Sequence, residues 1–298
     1  MDRRAAPSGA HAPAPAVKWS SGTARPATRV PADACDCHHH IYDARYPFAA
    51  GAALQPGDAL IADYQALQKR IGTTRNVIVQ PSSYGTDNRL LLASIAQFGG
   101  RARGIAVVDT DVTDGGLREL HDGGVRGIRF NLAPSGATTL AMVKPLAARI
   151  APLGWHIQVN APAAVLLEAR AVWAALPVPV VFDHLARVPQ PHATRHPAFL
   201  MVRGLLQQGK AYVKLSGFYN ESVVGAPGYE DAVRAAGDYA REAPGRVLWA
   251  SDWPHPTEQP SRIPDDAALL DAFAQAVPDE AVRKQVLVDN PARLYQFG

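Results

Sequence analysis

Short runs of β-branched and apolar residues alternate with Ala- and Leu-rich stretches of helical period along most of this 298-residue chain. The strand-like runs are Cys35–Ile41, Asn76–Pro81, Arg103–Asp109, Val125–Asn131, Trp155–Asn160, Val178–His184, Ala211–Gly217 and Arg246–Asp252. The helical patterns are Ile61–Ile71, Asn88–Phe98, Thr113–His121, Leu140–Ala151, Ala163–Leu176, Pro197–Gln208, Tyr229–Arg241, Pro264–Ala276 and Asp279–Val288. About eight strand–helix repeats in a chain near 300 residues predict an α/β fold, the (β/α)8 TIM barrel. The alternative, a doubly wound open sheet, usually has fewer strands, and the chain has no Gly-x-Gly-x-x-Gly after the first strand.

The barrel is predicted to be a single domain over residues 33–298, preceded by a flexible arm, extended or disordered, over residues 1–32. The arm has prolines at five positions up to Pro31, set among Ala, Ser and Gly, and such a composition cannot bury a core. Trp19 is a candidate for anchoring part of the arm to the barrel. No composition shift marks a domain boundary within the repeats.

Charge and cysteine usage limit the partners and the compartment. The formal net charge is +3, and the Lys and Arg residues are scattered, which argues against nucleic acid or a membrane surface as a partner. Cys35 and Cys37 are too close in sequence for an ordinary disulfide, which suits a reducing compartment. Without an apolar secretory segment or a membrane-length run, we expect a cytoplasmic protein. The sequence leaves open whether it forms a homo-oligomer.

The first strand carries the motif Asp36-Cys37-His38-His39-His40 near its end. Side chains alternate along a strand, so Asp36, His38 and His40 are expected on one face. Two imidazoles one strand-step apart can hold one metal ion or one polar substrate atom. A solvated polar segment with chance histidines is the competing interpretation.

Polar residues also lie in the last part of the other strands or just beyond them, at the end of a barrel where catalytic side chains lie. These residues are Ser82, Arg129, Asn131, Asn160, His184, Arg187, Tyr219 and Asp252. A carboxylate that ends an apolar strand is costly to bury without partners. Closure of the barrel would place Asp252 beside His38, His40 and His184, which we therefore expect to surround it.

Several of these polar residues also have a purely structural interpretation. Arg129 could be a surface salt-bridge partner, and Asn160 could cap the helix that begins near Pro162. Lys214 could extend to solvent at an end of the barrel. His156 lies at the entry end of its strand, which is the wrong end for catalysis, and we assign it a structural role.

The Asp36-x-His38-x-His40 motif, His184 after strand six and Asp252 after strand eight resemble the amidohydrolase superfamily. The chain is most similar to the amidohydrolase-related branch that holds 2-pyrone-4,6-dicarboxylate lactonase, 4-sulfomuconolactone hydrolase, sugar-acid lactonases and D-galactarolactone isomerase. The segments that carry this similarity are 79–88, 124–131, 183–187, 213–217, 249–255 and 289–295. They cover the chain from about Asp33 to its C-terminus.

The resemblance implies a hydrolase that opens a small anionic lactone, an ester in a ring. Asp252 is then expected to be the general base, with His38, His40 and His184 at the carbonyl oxygen. The residues expected to bind the substrate are Ser82, Arg129, Asn160, Arg187 and Tyr219. Such a role would place the enzyme in the breakdown of aromatic compounds or sugar acids.

A bound metal is left open. Dinuclear hydrolases of this superfamily use further ligands on the middle strands, whereas the fifth strand here ends in Asn160. His38, His40, His184 and Asp252 suffice for one divalent ion at most, and their N and O atoms favour zinc or manganese. The branch also includes members that work without any metal.

Three other functions are compatible with the same residues. A sugar-acid lactone isomerase would use the same cluster, although the resemblance suggests that isomerases of this branch lack the first histidine of the pair. A metal-dependent decarboxylase of the superfamily is the second. The third is a non-catalytic binding protein on a barrel scaffold, because a fold does not dictate function.

Overall fold

The computed structural model of the chain describes residues 15–132 and 137–298. Eight parallel strands pair in sequence order and form one sheet that curls into a nearly closed barrel. The strands are β1 (Cys35–His39), β2 (Arg75–Val79), β3 (Ala102–Ala106), β4 (Val125–Asn131), β5 (His156–Asn160), β6 (Val180–Phe182), β7 (Ala211–Leu215) and β8 (Val247–Trp249). The predicted (β/α)8 fold is confirmed.

Helices connect successive strands and form the outer layer. They are α1 (Ile61–Ile71), α2 (Arg89–Ala96), α3 (Asp114–Asp122), α4 (Leu140–Ile150), α5 (Ala163–Glu168), α6 (Arg170–Ala175), α7 (Pro197–Gln207), α8 (Phe218–Glu221), α9 (Glu230–Glu242), α10 (Asp266–Ala276), α11 (Glu280–Lys284) and α12 (Asn290–Tyr295). The single helix predicted over Ala163–Leu176 is wrong, because Ala169 leaves the helical conformation, with ψ at 11°, and separates α5 from α6. Between α11 and α12 the chain makes a π-helical turn.

Apolar side chains fill two separate regions. Alternation along the strands sends every second side chain into the barrel, and the others against the helices. The inner cluster comprises Cys35, Cys37, Val77, Val79, Ile105, Val181, Tyr212, Leu248, Ala250, Leu294 and Tyr295. Apolar residues therefore fill much of the barrel interior.

The barrel closes between β8 and β1, just beyond the last residue of β8. Asp252 donates its backbone N–H to the carbonyl of His38 at 2.9 Å, and His40 donates its own to the carbonyl of Trp253 at 2.8 Å. These two bonds fix the segments that carry the predicted histidine pair and the predicted carboxylate. The seam of the barrel is thus also the place where the candidate catalytic groups meet.

The described part of the arm, residues 15–32, lies against the barrel. The indole of Trp19 donates to the carbonyl of Asp58 at 2.8 Å, and the indole of Trp253 donates to the carbonyl of Lys18 at 2.9 Å. Ser21 donates its N–H to the carbonyl of Pro264. The arm therefore contacts the loop after β8, while residues 1–14 lie outside the described residues and the boundary at residue 32 stays a prediction.

No helix in the described ranges combines the length and the apolar character needed to cross a bilayer.

Candidate active site

Three imidazoles surround one carboxylate at the carboxyl end of the barrel. The Oδ1 atom of Asp252 lies 3.6 Å from Nε2 of His38, 3.6 Å from Nε2 of His184 and 3.9 Å from Nε2 of His40. The two Nε2 atoms of His38 and His40 are 3.3 Å apart. All four side chains are buried. The structure therefore brings together the four residues that the sequence singled out, and their catalytic roles stay predictions.

Unusual backbone conformations aim two of these side chains. Asp252 has φ at 66° and His184 has φ at 49°, both in the left-handed region. This region costs a non-glycine residue roughly 1–2 kcal/mol, and such strain clusters at functional sites. The strands β6 and β8 end before these residues, at Phe182 and Trp249, which is earlier than predicted. The chain leaves the extended conformation where it must turn a polar side chain into the barrel mouth.

Asp36 does not join the cluster, so the expectation that it shares a face with His38 and His40 is wrong. Its carboxylate accepts hydrogen bonds from the N–H and the hydroxyl of Ser251 and from the hydroxyl of Tyr64. The pairing of β1 with β2 shifts register between Asp36 and His39, which breaks strict alternation. Burial raises the pKa of Asp36 to about 6 in spite of these donors. Asp36 is therefore a structural residue that ties β1 to the segment after β8.

Beneath His38 lies a buried polar group that the sequence reasoning missed. Nδ1 of His38 lies 3.2 Å from Oδ1 of Asp183 and 3.1 Å from Nζ of Lys214. Lys214 also donates to Gln158 at 2.7 Å, and Gln158 donates to the second oxygen of Asp183 at 3.1 Å. Lys214 is fully buried, so the alternative that it extends to solvent is wrong. A lone charge in the middle of the apolar β7 was the signal that could have predicted this network.

Burial disfavours the ionised forms of Asp183 and Lys214, and neighbours of opposite charge stabilise these forms. Burial alone would raise the pKa of Asp183, but Lys214, His38 and Arg129 hold it well below its usual value. Burial lowers the pKa of Lys214, and Asp183 opposes that shift. Burial and the Lys214 charge lower the pKa of His38 well below its usual value. His38 is therefore neutral at neutral pH, between an anion and a cation.

Burial and neighbouring charges also shift the pKa values of His40, His184 and Asp252. Burial lowers the pKa of His40 to about 4 and also lowers that of His184. Burial would raise the pKa of Asp252, but His184, His38 and His40, together with a hydrogen bond from Tyr219, bring it to about 2. At neutral pH the cluster is consequently an ionised carboxylate among neutral imidazoles, which is the resting state that a carboxylate base requires.

Hydrogen bonds at the outer nitrogens decide which way two of the imidazoles face. Nδ1 of His40 lies 2.7 Å from the carbonyl of Val79, which can only accept, so this nitrogen carries the proton and Nε2 presents a lone pair to the cluster. Nδ1 of His184 lies 3.0 Å from the hydroxyl of Ser216. The cluster thus has at least one nitrogen that is ready to accept a proton or to ligate a metal.

The donor set fits one metal ion. His38, His40 and Asp252 offer ligand atoms within 4.8 Å of one another, as do His38, Asp183 and His184. Separations of 3.3–3.9 Å among the Nε2 atoms and Oδ1 match those of donors that surround a single divalent ion. A hydrogen bond from the outer nitrogen of His40 to Val79 is also the usual support of a ligating histidine.

A small cavity of about 70 Å³ opens above the cluster. Four of the predicted substrate-binding residues line it, namely Ser82, Arg129, Asn160 and Arg187. Tyr219 is not among the lining residues, because its hydroxyl donates to Oδ2 of Asp252 at 2.7 Å. Asn131, Asn220 and Thr257 add polar groups to the wall that the sequence did not single out as binding residues.

The two arginines of the cavity are differently occupied. Arg129 is 5% exposed and its Nε lies 3.6 Å from Oδ2 of Asp183, so the surface salt-bridge interpretation is wrong. Arg187 is half-buried at the rim and donates from Nε to Oε1 of Glu221 at 2.7 Å. Asn160 donates to Asn131 at 3.2 Å, which directs its side chain into the cavity wall and not onto the following helix.

The chain resembles characterised proteins over nearly its whole length. It is 35% identical over 291 residues to a 2-pyrone-4,6-dicarboxylate hydrolase of Comamonas testosteroni, which covers 94% of this chain and 95% of that protein. It is 34% identical to a 4-sulfomuconolactone hydrolase of Rhizobium radiobacter, over 89% of this chain and 91% of the relative. It is 30% identical to a D-galactarolactone isomerase of Agrobacterium fabrum, over 95% and 97%.

Solved structures share the fold and the same branch. A crystal structure of an apo protein from Agrobacterium tumefaciens superposes with a TM-score of 0.87 at 28% identity, over 94% of this chain and 99% of that one. A probable 2-pyrone-4,6-dicarboxylic acid hydrolase from Acinetobacter baumannii, solved with citric acid bound, superposes with a TM-score of 0.78 at 28% identity, over 89% and 100%.

The sequence profile of the amidohydrolase family matches residues 35–297, which is nearly the entire barrel. Together with relatives that hydrolyse or isomerise lactones, this match confirms the resemblance drawn from the motifs. The chain belongs to the amidohydrolase family of hydrolases.

Proposed function

We propose that the protein hydrolyses the ring ester of a small anionic lactone. The observation that carries this proposal is the position of the Asp252 carboxylate, whose Oδ1 lies within 3.6–3.9 Å of three imidazole nitrogens at the floor of the cavity. A carboxylate in such a position can accept a proton from water while its neighbours contact the carbonyl oxygen. The names of the relatives support a lactone as the substrate.

In the first step, Asp252 takes a proton from a water molecule, which attacks the carbonyl carbon of the lactone. The imidazoles of His38 and His184 can each donate an N–H to the carbonyl oxygen, where negative charge develops. The Nε2 lone pair of His40 can instead accept a hydrogen bond from the attacking water. The ring C–O bond then breaks, and the proton on Asp252 moves to the leaving oxygen. The product is an open hydroxy acid, and Asp252 is ionised again.

Cationic and amide groups of the cavity select an anionic substrate. Arg129 and Arg187 can each bind a carboxylate or sulfonate with two N–H donors. Ser82 and Asn160, which also line the cavity, would add orienting hydrogen bonds. Citric acid in the related Acinetobacter structure is likewise a small polycarboxylate, which supports this charge class.

One divalent ion, zinc or manganese, is compatible with the same residues. His38, His40, His184 and Asp252 would hold it, and it would supply Lewis-acid polarisation of the carbonyl. In either case the backbone contact of His40 with Val79 orients a lone pair toward the cluster. The lack of nucleic-acid partners and the cytoplasmic location stay predictions from the sequence, which leaves open whether the protein forms a homo-oligomer.

A lactone isomerase is the second candidate, favoured by the relative from Agrobacterium fabrum at 30% identity. The same carboxylate could take the proton from a substrate hydroxyl, which forms a new C–O bond to the lactone carbonyl, and return it to the ring oxygen whose C–O bond breaks, so that a second lactone forms without addition of water. Nuclear magnetic resonance of the product separates the two, since hydrolysis gives an open acid and isomerisation gives a second lactone.

The experiment is a pH-indicator screen of aromatic-derived and sugar-acid lactones, with and without a chelator. We expect acid release from at least one lactone that bears a carboxylate or sulfonate. Asp252→Asn should reduce kcat by about 10²- to 10⁴-fold, because the base is lost, while the circular dichroism spectrum stays that of the folded protein. An Asn variant that is as active as the wild type would overturn the mechanism, and release of carbon dioxide would identify a decarboxylase.

A further inference from the structure

A line of buried and partly buried polar side chains lies behind Asp252, on the side opposite the imidazoles. Its Oδ2 accepts a hydrogen bond from the Tyr219 hydroxyl at 2.7 Å, and that hydroxyl lies 2.9 Å from Nδ1 of His255. Nε2 of His255 lies 3.2 Å from Oδ2 of Asp266. We propose that His255 and Asp266 are positioning residues, which fix the Tyr219 hydroxyl and through it the carboxylate of Asp252. The proposal rests on the function proposed above.

The direction of each hydrogen bond follows from counting protons. The Tyr219 hydroxyl has one hydrogen, and the ionised Asp252 can only accept it. The tyrosine oxygen must therefore accept from Nδ1 of His255, which has to carry a hydrogen. This arrangement makes His255 the donor that selects the orientation of the Tyr219 hydroxyl, so the hydrogen of Tyr219 always faces Asp252.

The charges agree with this direction. Burial would lower the pKa of His255, but the carboxylates of Asp266 and Asp252 outweigh it and raise the pKa. A second hydrogen on Nε2 then faces Oδ2 of Asp266. The line from Asp266 to Asp252 thus has a donor or an acceptor assigned at every contact.

The burial of His255 and Asp266 indicates that these two side chains do more than fill space. His255 and Asp266 are both 0% exposed, and an apolar pair of similar volume is often as stable as a buried ion pair, or more stable. Among the described residues, Oδ1 of Asp266 has no hydrogen-bond partner, which adds a further cost. Packing alone does not account for two ionisable side chains at this place.

The backbone holds both ends of the line. His255 has φ at 57° and donates its N–H to the carbonyl of Asp252 at 2.8 Å, so the two residues form one tight turn. Asp266 is the first residue of α10 and donates its N–H to the Ser20 hydroxyl of the arm at 3.2 Å. The support for the carboxylate therefore reaches back to the helix layer and to the N-terminal arm.

The expected role follows from what Asp252 would do without this support. A carboxylate turns readily about its last torsion, which has broad minima. Loss of the Tyr219 donor would let Oδ1 move away from the imidazoles, and a misplacement of about 1 Å can cost up to 100-fold in rate. Neither His255 nor Tyr219 lines the cavity, so substrate binding itself should change little.

The test compares two double variants, His255→Asn with Asp266→Asn, and His255→Leu with Asp266→Asn. Both remove the buried ion pair, but the Asn amide at 255 can still donate from a position close to that of Nδ1, and Leu cannot. We expect the Leu variant to lose about 10- to 100-fold in kcat with KM within about 3-fold of the wild type. The Asn variant should recover most of that loss. Equal kcat values in the two folded variants would overturn the proposal.

Tyr219→Phe is the second variant. It tests the positioning of Asp252 even if the double variants do not fold. The proposal predicts a fall in kcat of about 10-fold or more at unchanged KM, since the hydroxyl acts on Asp252 and not on the substrate. A rise in KM at unchanged kcat would assign Tyr219 to substrate binding and overturn the proposal. Adding Tyr219→Phe to the Leu variant should cause no further loss, because both changes break the same line.

A crystal structure of the Tyr219→Phe variant separates this proposal from the proposed function. We expect the Asp252 carboxylate to be rotated, with Oδ1 farther from His38 and His184 than the present 3.6 Å. An unmoved carboxylate would reject the positioning role even if lactones are hydrolysed. If the wild type opens no lactone, the proposed function fails, and the orientation of Asp252 still tests the positioning.

Discussion

Histidines lie at two depths of this barrel, and their surroundings differ sharply. At the mouth, His38, His40 and His184 direct their inner nitrogens at Asp252, and each outer nitrogen has a polar neighbour. Deeper, on β5, both ring nitrogens of His156 are without a partner among the described residues. The comparison shows that partners, and not burial, distinguish a histidine arranged for chemistry from one that fills the core.

Burial acts on both sets in the same direction. It lowers the pKa of His156 to about 3 and that of His40 to about 4. His156 packs with its ring centroid 5.4 Å from that of Tyr295 and against the backbone of Gly127, where any Cβ would lie 2.8 Å from the ring. Its role is thus steric, as its place at the entry end of the strand predicted. A low pKa alone would not have distinguished His156 from the histidines at the mouth of the barrel.

The largest effect is expected from removing the charge of Lys214, which lies between the histidines at the mouth and His156. Lys214→Met removes the nearer of the two cations beside the buried Asp183 and leaves only Arg129, at 3.6 Å, and breaking a buried pair in this way costs about 3–5 kcal/mol. Urea unfolding of the variant should show a loss of this size in the free energy of unfolding. Activity should also fall, because His38 loses the donor at its outer nitrogen.

The double variant Lys214→Met with Asp183→Asn is the matched control for that loss. Removing both charges avoids the uncompensated carboxylate, so we expect it to recover at least half of the lost stability. Losses that simply add would show that the two side chains do not interact energetically, and that the network beneath His38 does not hold charge.

The second prediction compares His184, a histidine at the mouth of the barrel, with His156, a histidine of the core. His184→Leu removes one donor beside Asp252 and should lower kcat/KM by about 10²- to 10³-fold. His156→Leu removes a histidine of similar burial and should leave kcat/KM within about 3-fold of the wild type, because none of its atoms contacts the cluster. Initial-rate assays on the lactone found in the screen measure both. Equal losses would contradict the separation into catalytic and structural histidines.

Position along the chain carried most of what could be predicted. Alternating strand and helix patterns gave the (β/α)8 fold, and barrel closure brought Asp252 to His38, His40 and His184, because all these residues lie at or just beyond the carboxyl ends of strands. Alternation failed at Asp36, since a register shift in β1 is a three-dimensional adjustment that no local pattern encodes. Lys214 was misjudged for a similar reason, because its partners Asp183 and Gln158 come from other strands.

The third prediction concerns the pH dependence of stability that the deep histidine creates. The folded pKa of His156, about 3, lies below the unfolded value of 6.5, so only the unfolded chain takes up the proton between these values. This contribution is complete above pH 6.5 and is lost as the pH falls, by about 2 kcal/mol at pH 5.

His156→Leu should remove that dependence. The difference in the free energy of unfolding between pH 7 and pH 5 should shrink by about 2 kcal/mol relative to the wild type, whatever the variant does to stability at pH 7. Urea unfolding at the two pH values measures it. Identical differences in the two proteins would mean that His156 is protonated in the folded state and has a polar partner after all.

The smallest effect is expected at the rim, where the surroundings are most like water. Arg187 and Glu221 are 31% and 30% exposed, so breaking their pair should change stability by less than about 1 kcal/mol. Glu221→Gln frees the guanidinium to bind an anionic group, and we expect KM for an anionic lactone to fall by about 3-fold, less so at high salt. Asp238→Asn, which breaks the exposed pair with Arg241 on α9, should leave KM unchanged. An unchanged KM in Glu221→Gln would show that Arg187 does not contact the substrate, and that anion selection rests on the deeper Arg129.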